Sequence, residues 1–526
     1  MVKKKRLLFL VIGLIFVLLL YACSTKETSV TIDQERETGA NNAQPRYGGE
    51  LKIIFQEPTR NIGFPAEDAA GLTLYYNLPA LETLTRYNEK GEVTPWLAKE
   101  WDLDPENKTI TFYLNEGIKF HDGTDFNAEA VKWNIQQYLD YKRPEVTGIK
   151  SMEVLDEYTL RLNLEEWDLT LLESIGYFVQ MVSPTAVEEN GVEWAIGHPV
   201  GTGPFVFEHW QQDVSLRYVK NENYWREGYP YLDAIEYLFI YDRNTSANAF
   251  RAGEAHVLAH ADPPTYRELE AMGQYVIQHD NGLSRRGIGL MFDSANPNSP
   301  LQDVNVRRAV IHAIDPQAIV DSVLMGVGQA TNQYYVEGTR FYNAEVKGYP
   351  YDPEKAKQLL AEAGYPNGFD IPIITDAARE NVITAVQSYL ADVGINAQIQ
   401  TVELGQLIAL TQGTWDGMTM YLRPNLANAT VLIDRDFGKN SINFSKNIVH
   451  PERVDQLLEE ARRATSFEEQ AELIRELQIE MVDNHALFAP LVSPNPAVFM
   501  VPEVQNLAML KTNGHEWNPE SVWLME

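Results

Sequence analysis

An α/β protein with mixed sheets and more than one hydrophobic core is what this sequence predicts. Three observations carry the expectation. Runs of alternating apolar residues interleave with runs of helical period along the body of the chain. Residues 369 to 404 read as one strand, helix and strand in succession. Roughly 480 residues follow a polar stretch that ends near Tyr47, and domains usually hold about 100 to 200. At least two lobes are therefore expected.

The chain opens with Lys3, Lys4, Lys5 and Arg6, then runs apolar from Leu7 to Leu20 apart from Gly13. That is the layout of a secretory signal, and the apolar run falls short of the ~18 to 20 residues that cross a bilayer comfortably. Residues 1–22 are expected to be the signal peptide. The only cysteine, Cys23, sits where the apolar run meets a polar one. Leu20, Tyr21, Ala22 and Cys23 resemble a bacterial lipobox, in which the cysteine is acylated and becomes the mature amino terminus. The resemblance implies a lipid on Cys23; the alternative is an uncleaved signal anchor with an incidental thiol. A lone, acylated cysteine excludes an intrachain disulfide, a redox centre and a catalytic thiol. Residues 24–46, "STKETSVTIDQERETGANNAQPR", are polar, lack aromatics and show no period. As a flexible tether they would hold the body on the order of 25 Å from the membrane.

The formal charge is −31, and loss of the four cationic residues of the signal takes it to −35. A field of that sign repels nucleic acid and anionic headgroups, so basic-stripe functions are excluded. Absence of heptads or short repeats argues against coiled coils and solenoids.

In the body, "YGGELKIIF" gives a glycine turn followed by a buried strand ending at Phe55. Ile110, Phe112 and Leu114 alternate with polar residues, Asp122-Gly123 turns the chain, and Asn127 caps a helix that carries Ala130, Val131 and Ile135 inward. Leu160, Leu162 and Leu164 share a strand face after a turn at Asp156-Glu157. His312 is expected to be exposed, on the helix side away from Val306, Ala309, Val310 and Ala313. Asp352, Pro353 and Gly364 read as cap, first turn and stop of one helix. "FDIPIIT", the stripe Ile383, Val386 and Leu390, and "INAQIQTVE" make the βαβ unit, which predicts parallel strands. Ser466 with Glu469 three residues later is a capping box ahead of Ala471, Ile474, Leu477 and Met481.

Six segments, in order, resemble one family: "YGGEL" at the start, "GIKFHDGTDFNAEAV" at 117–131, "VGTGPF" at 200–205, "KNENYW" at 220–225, "LQDVNVRRAVIHAID" at 301–315 and "YPYDPEKAKQLLAEAGY" at 349–365. The chain is similar to the family 5 extracellular solute-binding proteins, the oligopeptide, dipeptide and nickel receptors of ABC importers. That resemblance implies a two-lobed class II periplasmic-binding-protein-like fold with mixed sheets and an extra subdomain on lobe one. Carried onto this chain, lobe one comprises 47–85, 200–290 and 490–526, the extra subdomain 86–199, and lobe two 291–489. It further implies a monomer with no cofactor and no enzymatic step, which takes a small-molecule or peptide ligand in the interlobe cleft. The ligand passes to an ABC permease, and the lipid anchor places the receptor on the outer face of the cytoplasmic membrane or in the periplasm.

In peptide receptors of the family, an aspartate shortly after an aromatic in the second lobe holds the peptide's amino group. Here the corresponding run has no carboxylate between Asp416 and Asp434, and Asn425 falls near the expected place. An amide does not neutralise an ammonium, so a peptide bound differently, a blocked peptide, a sugar or another solute stays open as ligand; the alternative receptor reading is for a nickel chelate or an oligosaccharide. The ligand-binding candidates are Glu57 at the end of the first strand, Arg286 at a crossover, and Trp415, Tyr421, Arg423 and Asn425 in lobe two. Aromatic faces cover apolar or sugar surfaces, and Arg423 pairs bidentately with a carboxylate. The plain alternatives are core packing for Trp415 and Tyr421 and a solvated loop charge for Arg423.

His256, where relatives usually carry an aspartate, and His260 stand four apart in "HVLAH", after a Gly-Glu turn that argues against a helical metal pair. Gly287 with Gly289 lacks the third glycine of a phosphate cradle, and no Gly-x-Ser-x-Gly elbow occurs. The charge-rich helices near 457–478 read as solvated faces or as a permease contact. A reading of another class is a secreted surface hydrolase using a carboxylate pair.

Overall fold

The computed structural model describes residues 44–56, 59–67, 76–88, 92–279, 287–423, 429–439, 441, 443–494, 497–509 and 518–525. Residues 1–43, with Cys23 and all but the last three residues of the expected signal and tether, lie outside the described residues, as do Glu57, Arg286 and Asn425, and Arg423 is described in its backbone alone. No helix among the described residues is long and apolar enough to cross a membrane.

The opening strand, Glu50–Phe55, lies inside a seven-stranded sheet, parallel to Ala234–Phe239 on one side and to Val257–Leu258 on the other. Both faces are covered, as its apolar run requires. Leu51, Ile53 and Phe55 enter one apolar cluster and Ile54 enters another on the opposite face. His256 has a structural place at this sheet. The Lys52 N–H donates to His256 Nδ1 (3.0 Å) and the His256 N–H returns to the Lys52 carbonyl (2.9 Å), so the ring serves Lys52 just before the neighbouring strand begins. His260 follows that strand in a left-handed conformation against Phe55, and the segment is not helical.

Ala98–Asp104, Thr109–Leu114, Thr159–Leu164 and Ile149–Asp156 form a four-stranded antiparallel sheet. Ile110, Phe112, Leu114, Leu160, Leu162 and Leu164 are buried in the same cluster as Val131, Ile135 and Tyr138 of the helix Ala128–Asp140. Asn127 caps that helix by accepting the Ala130 N–H at 3.0 Å.

The third large sheet has six strands, in the order Gly328–Ala330, Phe488–Pro494, Gly287–Phe292, Met418–Arg423, Phe369–Asp376, Ile395–Val402. The last two pair in parallel over eight positions, joined by the helix Glu380–Asp392, which buries Val382, Ile383, Val386 and Leu390. Two expected segment edges, 290/291 and 489/490, fall inside strands of this sheet. The strand Val276–His279 belongs to the seven-stranded sheet and the next, Gly287–Phe292, to the six-stranded one; Phe488–Pro494 belongs to the six-stranded sheet and the next, Ala497–Met500, to the seven-stranded one. Composition cannot show such an edge, because GIGLMF and FAPLVSP are apolar throughout but for Ser493 and only pairing assigns them to a sheet.

Ser466 accepts the Glu469 N–H at 3.2 Å, while the Glu469 carboxylate reaches the Thr465 N–H at 2.8 Å, one residue earlier than the capping box implies. His312 is half-buried, its Nδ1 2.7 Å from the Pro350 carbonyl and its ring edge-on to Tyr349, where exposure was expected.

Apolar side chains gather in two large clusters. One joins the seven-stranded and four-stranded sheets into a single body; the other fills the region around the six-stranded sheet. Several segments that carry the resemblance meet inside the first body. Glu82, its side chain fully buried, accepts four hydrogen bonds: from Trp96 Nε1 (2.8 Å) and Tyr224 OH (2.7 Å) on one oxygen, and from Thr202 Oγ1 (2.8 Å) and Trp225 Nε1 (2.9 Å) on the other. Gly201 and Gly203 press on the backbone of Pro79 and Ala80, where an added Cβ would come within 2.2 and 2.6 Å of heavy atoms. His121 ties the same loop, its Nε2 donating to the Gly203 carbonyl (2.9 Å) and its Nδ1 accepting from the Gly201 N–H (3.3 Å). Burial holds His121 at about 4, so its ring is neutral.

Candidate functional site

A cavity of about 390 Å³ lies between the two bodies, within the ordinary range for small-ligand pockets. One wall belongs to the first body, where the chain turns through Pro144–Val146 beside Arg143. The opposite wall comes from three elements of the second body: the helix Leu404–Thr411, the end of the strand Met418–Arg423, and the helix Ala429–Phe437.

These walls differ in chemistry. On the helix Leu404–Thr411, Leu404 and Ile408 are 41% and 51% exposed and face the cavity, while Leu407 anchors the same helix in the core. Large apolar side chains left half open beside a cavity are surface that an apolar group can cover. Cationic groups line the same cavity. Arg143 forks onto Glu145 through two bonds of 3.2 Å, and Arg435 projects from the helix Ala429–Phe437 with no hydrogen-bond partner for its Nε among the described residues.

One lining residue is a buried acid, Asp436. Its Oδ2 accepts from Tyr421 OH (2.5 Å) and Tyr334 OH (3.4 Å), and its Oδ1 accepts from Asn443 Nδ2 (2.9 Å) with Arg435 Nε at 3.9 Å. Burial raises the Asp436 carboxyl above its usual range, against the pull of Arg435 and its donors, and burial also pushes the Tyr421 phenol well up. Filled by donors, this carboxylate fixes the wall rather than offering itself to a ligand.

Of the residues expected from the sequence, Tyr421 lines the cavity and is 2% exposed. Trp415 is 6% exposed and packs edge-on against Phe444, a lining residue, at 5.7 Å. Its Nε1 has no partner among the described residues. The Arg423 backbone closes the strand Met418–Arg423 opposite Gly287, next to the lining residue Leu422. Glu57, Arg286 and Asn425 fall outside the described residues. Sequence reasoning passed over Arg143, Glu145, Arg435, Asp436 and Asn443. Only the "DRDF" run, just past the stretch that lacks carboxylates, carried a signal.

Comparison with known proteins agrees with this architecture. The model of bacterial extracellular solute-binding proteins, family 5, middle region, matches residues 92–444. Heme-binding protein A of Haemophilus influenzae is 29% identical over 530 residues, covering 90% of this chain and 91% of that protein. The glutathione-binding protein GsiB of Shigella flexneri is 33% identical over 329 residues, which span 60% of this chain and 62% of that one. Among solved structures, the periplasmic binding protein DppA of Helicobacter pylori, in complex with the peptide STSA, superposes with a TM-score of 0.78 at 25% identity, covering 91% of this chain and 99% of that one.

Proposed function

The chain belongs to the bacterial extracellular solute-binding proteins of family 5, and we propose that it captures a small peptide-like solute in the cleft between its two bodies and hands it to an ABC importer. The observation that carries this reading is the cavity itself, which brings an apolar helix face and two guanidinium-bearing residues into one lining. A solute with an apolar part and a carboxylate fits both. The relatives favour the same chemistry: heme, glutathione and a tetrapeptide, named for those proteins, all carry carboxylates.

In this reading the two bodies open and close on the ligand, which favours closure by its contacts to both walls. Arg143 and Arg435 meet the carboxylate end. Arg423 and Asn425, one and three positions after the lining residue Leu422 in sequence, and Glu57 and Arg286 are the further ligand contacts of this reading, and Trp415 and Tyr421 stiffen the wall. No bond is made or broken. The lipid on Cys23 keeps the receptor beside its permease on the outer face of the membrane.

Reduced glutathione is the first probe. Calorimetric titration is expected to show saturable binding, with a rise in melting temperature and an unchanged ligand by mass spectrometry. Arg143→Ala is expected to weaken binding at least tenfold while melting within a few degrees of the parent, a loss of about 1.4 kcal/mol or more. Turnover of glutathione, or failure to bind it and short peptides alike, would overturn the proposal. Palmitate-analogue labelling that survives Cys23→Ser would remove the lipid assignment.

A further inference from the structure

The bodies also meet through a second contact, whose polar residues Glu173, Arg340 and Gln470 do not line the cavity. The helix Thr170–Phe178 buries Leu172 and Ile175 in the first body's cluster and points Glu173 toward the second. Glu173 is fully buried and accepts from Arg340 Nη2 at 3.0 Å; the same nitrogen donates to Gln470 Oε1 at 3.0 Å. The Arg340 guanidinium lies over the rings of Phe341 (4.5 Å) and Phe467 (5.2 Å). Around this polar centre the bodies also meet through the apolar trio Tyr87, Phe178 and Leu432, through Trp167 Nε1 donating to the Ala464 carbonyl (2.9 Å), and through the Leu169 N–H donating to the Arg462 carbonyl (2.9 Å).

The centre is incompletely satisfied. Glu173 Oε2, Arg340 Nε and the buried Tyr335 OH have no hydrogen-bond partner among the described residues. An ion pair held by one short contact recovers little of the desolvation of its two charges. We propose that Glu173, Arg340 and Gln470 form a proton-linked latch between the two bodies, so that opening the clamp is coupled to ionisation of one carboxyl group. The proposal rests on the clamp reading above.

Titratable groups face Glu173 from each side: Arg340 and Tyr335 from the second body, and Asp168 from the turn before its own helix. Burial drives the carboxyl up to about 7, Arg340 draws it down, and Asp168 adds to the rise. Asp168 is itself raised by burial and faced by Arg462. When the bodies part, water reaches Glu173 and its acidity returns toward the ordinary carboxylate value of 4.5. A carboxyl raised in the closed state takes up a proton on closing, so acid favours closure and alkali favours opening. Between pH 8 and pH 6 the closed-to-open ratio is expected to rise about tenfold.

The Leu169 N–H reports the contact directly, because its acceptor lies on the other body. Amide hydrogen exchange of the full, ligand-free chain at pH 6 and pH 8, corrected for intrinsic rate, is expected to show about tenfold greater protection at Leu169 at the lower pH. Glu173→Gln should abolish that dependence. Arg340→Gln, which keeps the carboxyl and removes its cation, should move the midpoint to higher pH. Equal protection at both pH values in the parent, or an unchanged pH response in Glu173→Gln, would overturn the latch. Because no ligand is present, failure of glutathione to bind would leave this result standing and sink only the ligand reading.

Discussion

Glu82 and Glu173 are both fully buried carboxylates, and they are built for opposite purposes. Glu82 sits wholly within the first body, with four donors on its two oxygens and Arg86 Nη2 at 3.6 Å. Glu173 sits between the bodies with one donor residue on one oxygen and none on the other. A buried carboxylate whose lone pairs are all engaged locks its surroundings, because any rearrangement breaks several charge-assisted bonds together. One that is half engaged gains little from staying, so a proton or a hinge motion displaces it. Asp436 lies between these extremes, with three donors inside the second body.

The comparison can be broken most readily at Glu82. Glu82→Ala strands four donors and Arg86, and chemical denaturation is expected to show a loss on the order of 3 to 5 kcal/mol; a loss below 1 would show that the cage is not what holds the first body. His121 probes the same framework by pH. Its folded value of about 4 lies below the ordinary 6.5, so the unfolded chain takes up the proton first. Stability therefore falls as pH drops from 6.5 toward 4, by on the order of 3 kcal/mol. His121→Gln should flatten that window in unfolding measurements, and a parent whose stability is constant across it would contradict the burial argument. At Asp436, Tyr421→Phe removes the shortest donor and should cost about 1 to 3 kcal/mol by thermal melting. The smallest effect is expected at Glu173. At pH 6, where the carboxyl is mostly neutral, Glu173→Gln should change global stability by less than about 1 kcal/mol, and a large loss there would make the residue a structural lock like Glu82.

Much of the fold was legible in the residues. Alternation placed the strands at Ile110, Phe112 and Leu114 and at Leu160, Leu162 and Leu164; helical spacing placed Ile383, Val386 and Leu390; Asn127 and Ser466 marked helix starts that the structure bears out. These are local signals, because periodicity records which face of one element is buried. The cavity was less legible. Arg143 and Arg435 are separated by almost three hundred positions, and neither sits in a motif. Tyr421 reached the candidate set as an aromatic near the family's ligand region, whereas its bond to Asp436 follows from a helix folding back over the strand that precedes it.

By itself the sequence determined the class, the order of strands and helices, the family and an expected exported, tethered form, since each depends on local pattern or on segments read in order. Only the tertiary structure decided that Trp96, Thr202, Tyr224 and Trp225 share one carboxylate, that the four-stranded sheet and the seven-stranded sheet bury a common core, and that Glu173 meets Arg340 across two bodies. Hydrogen bonds and charge pairs form between whatever atoms packing brings within about 3 Å, and no linear pattern records which distant segments those will be.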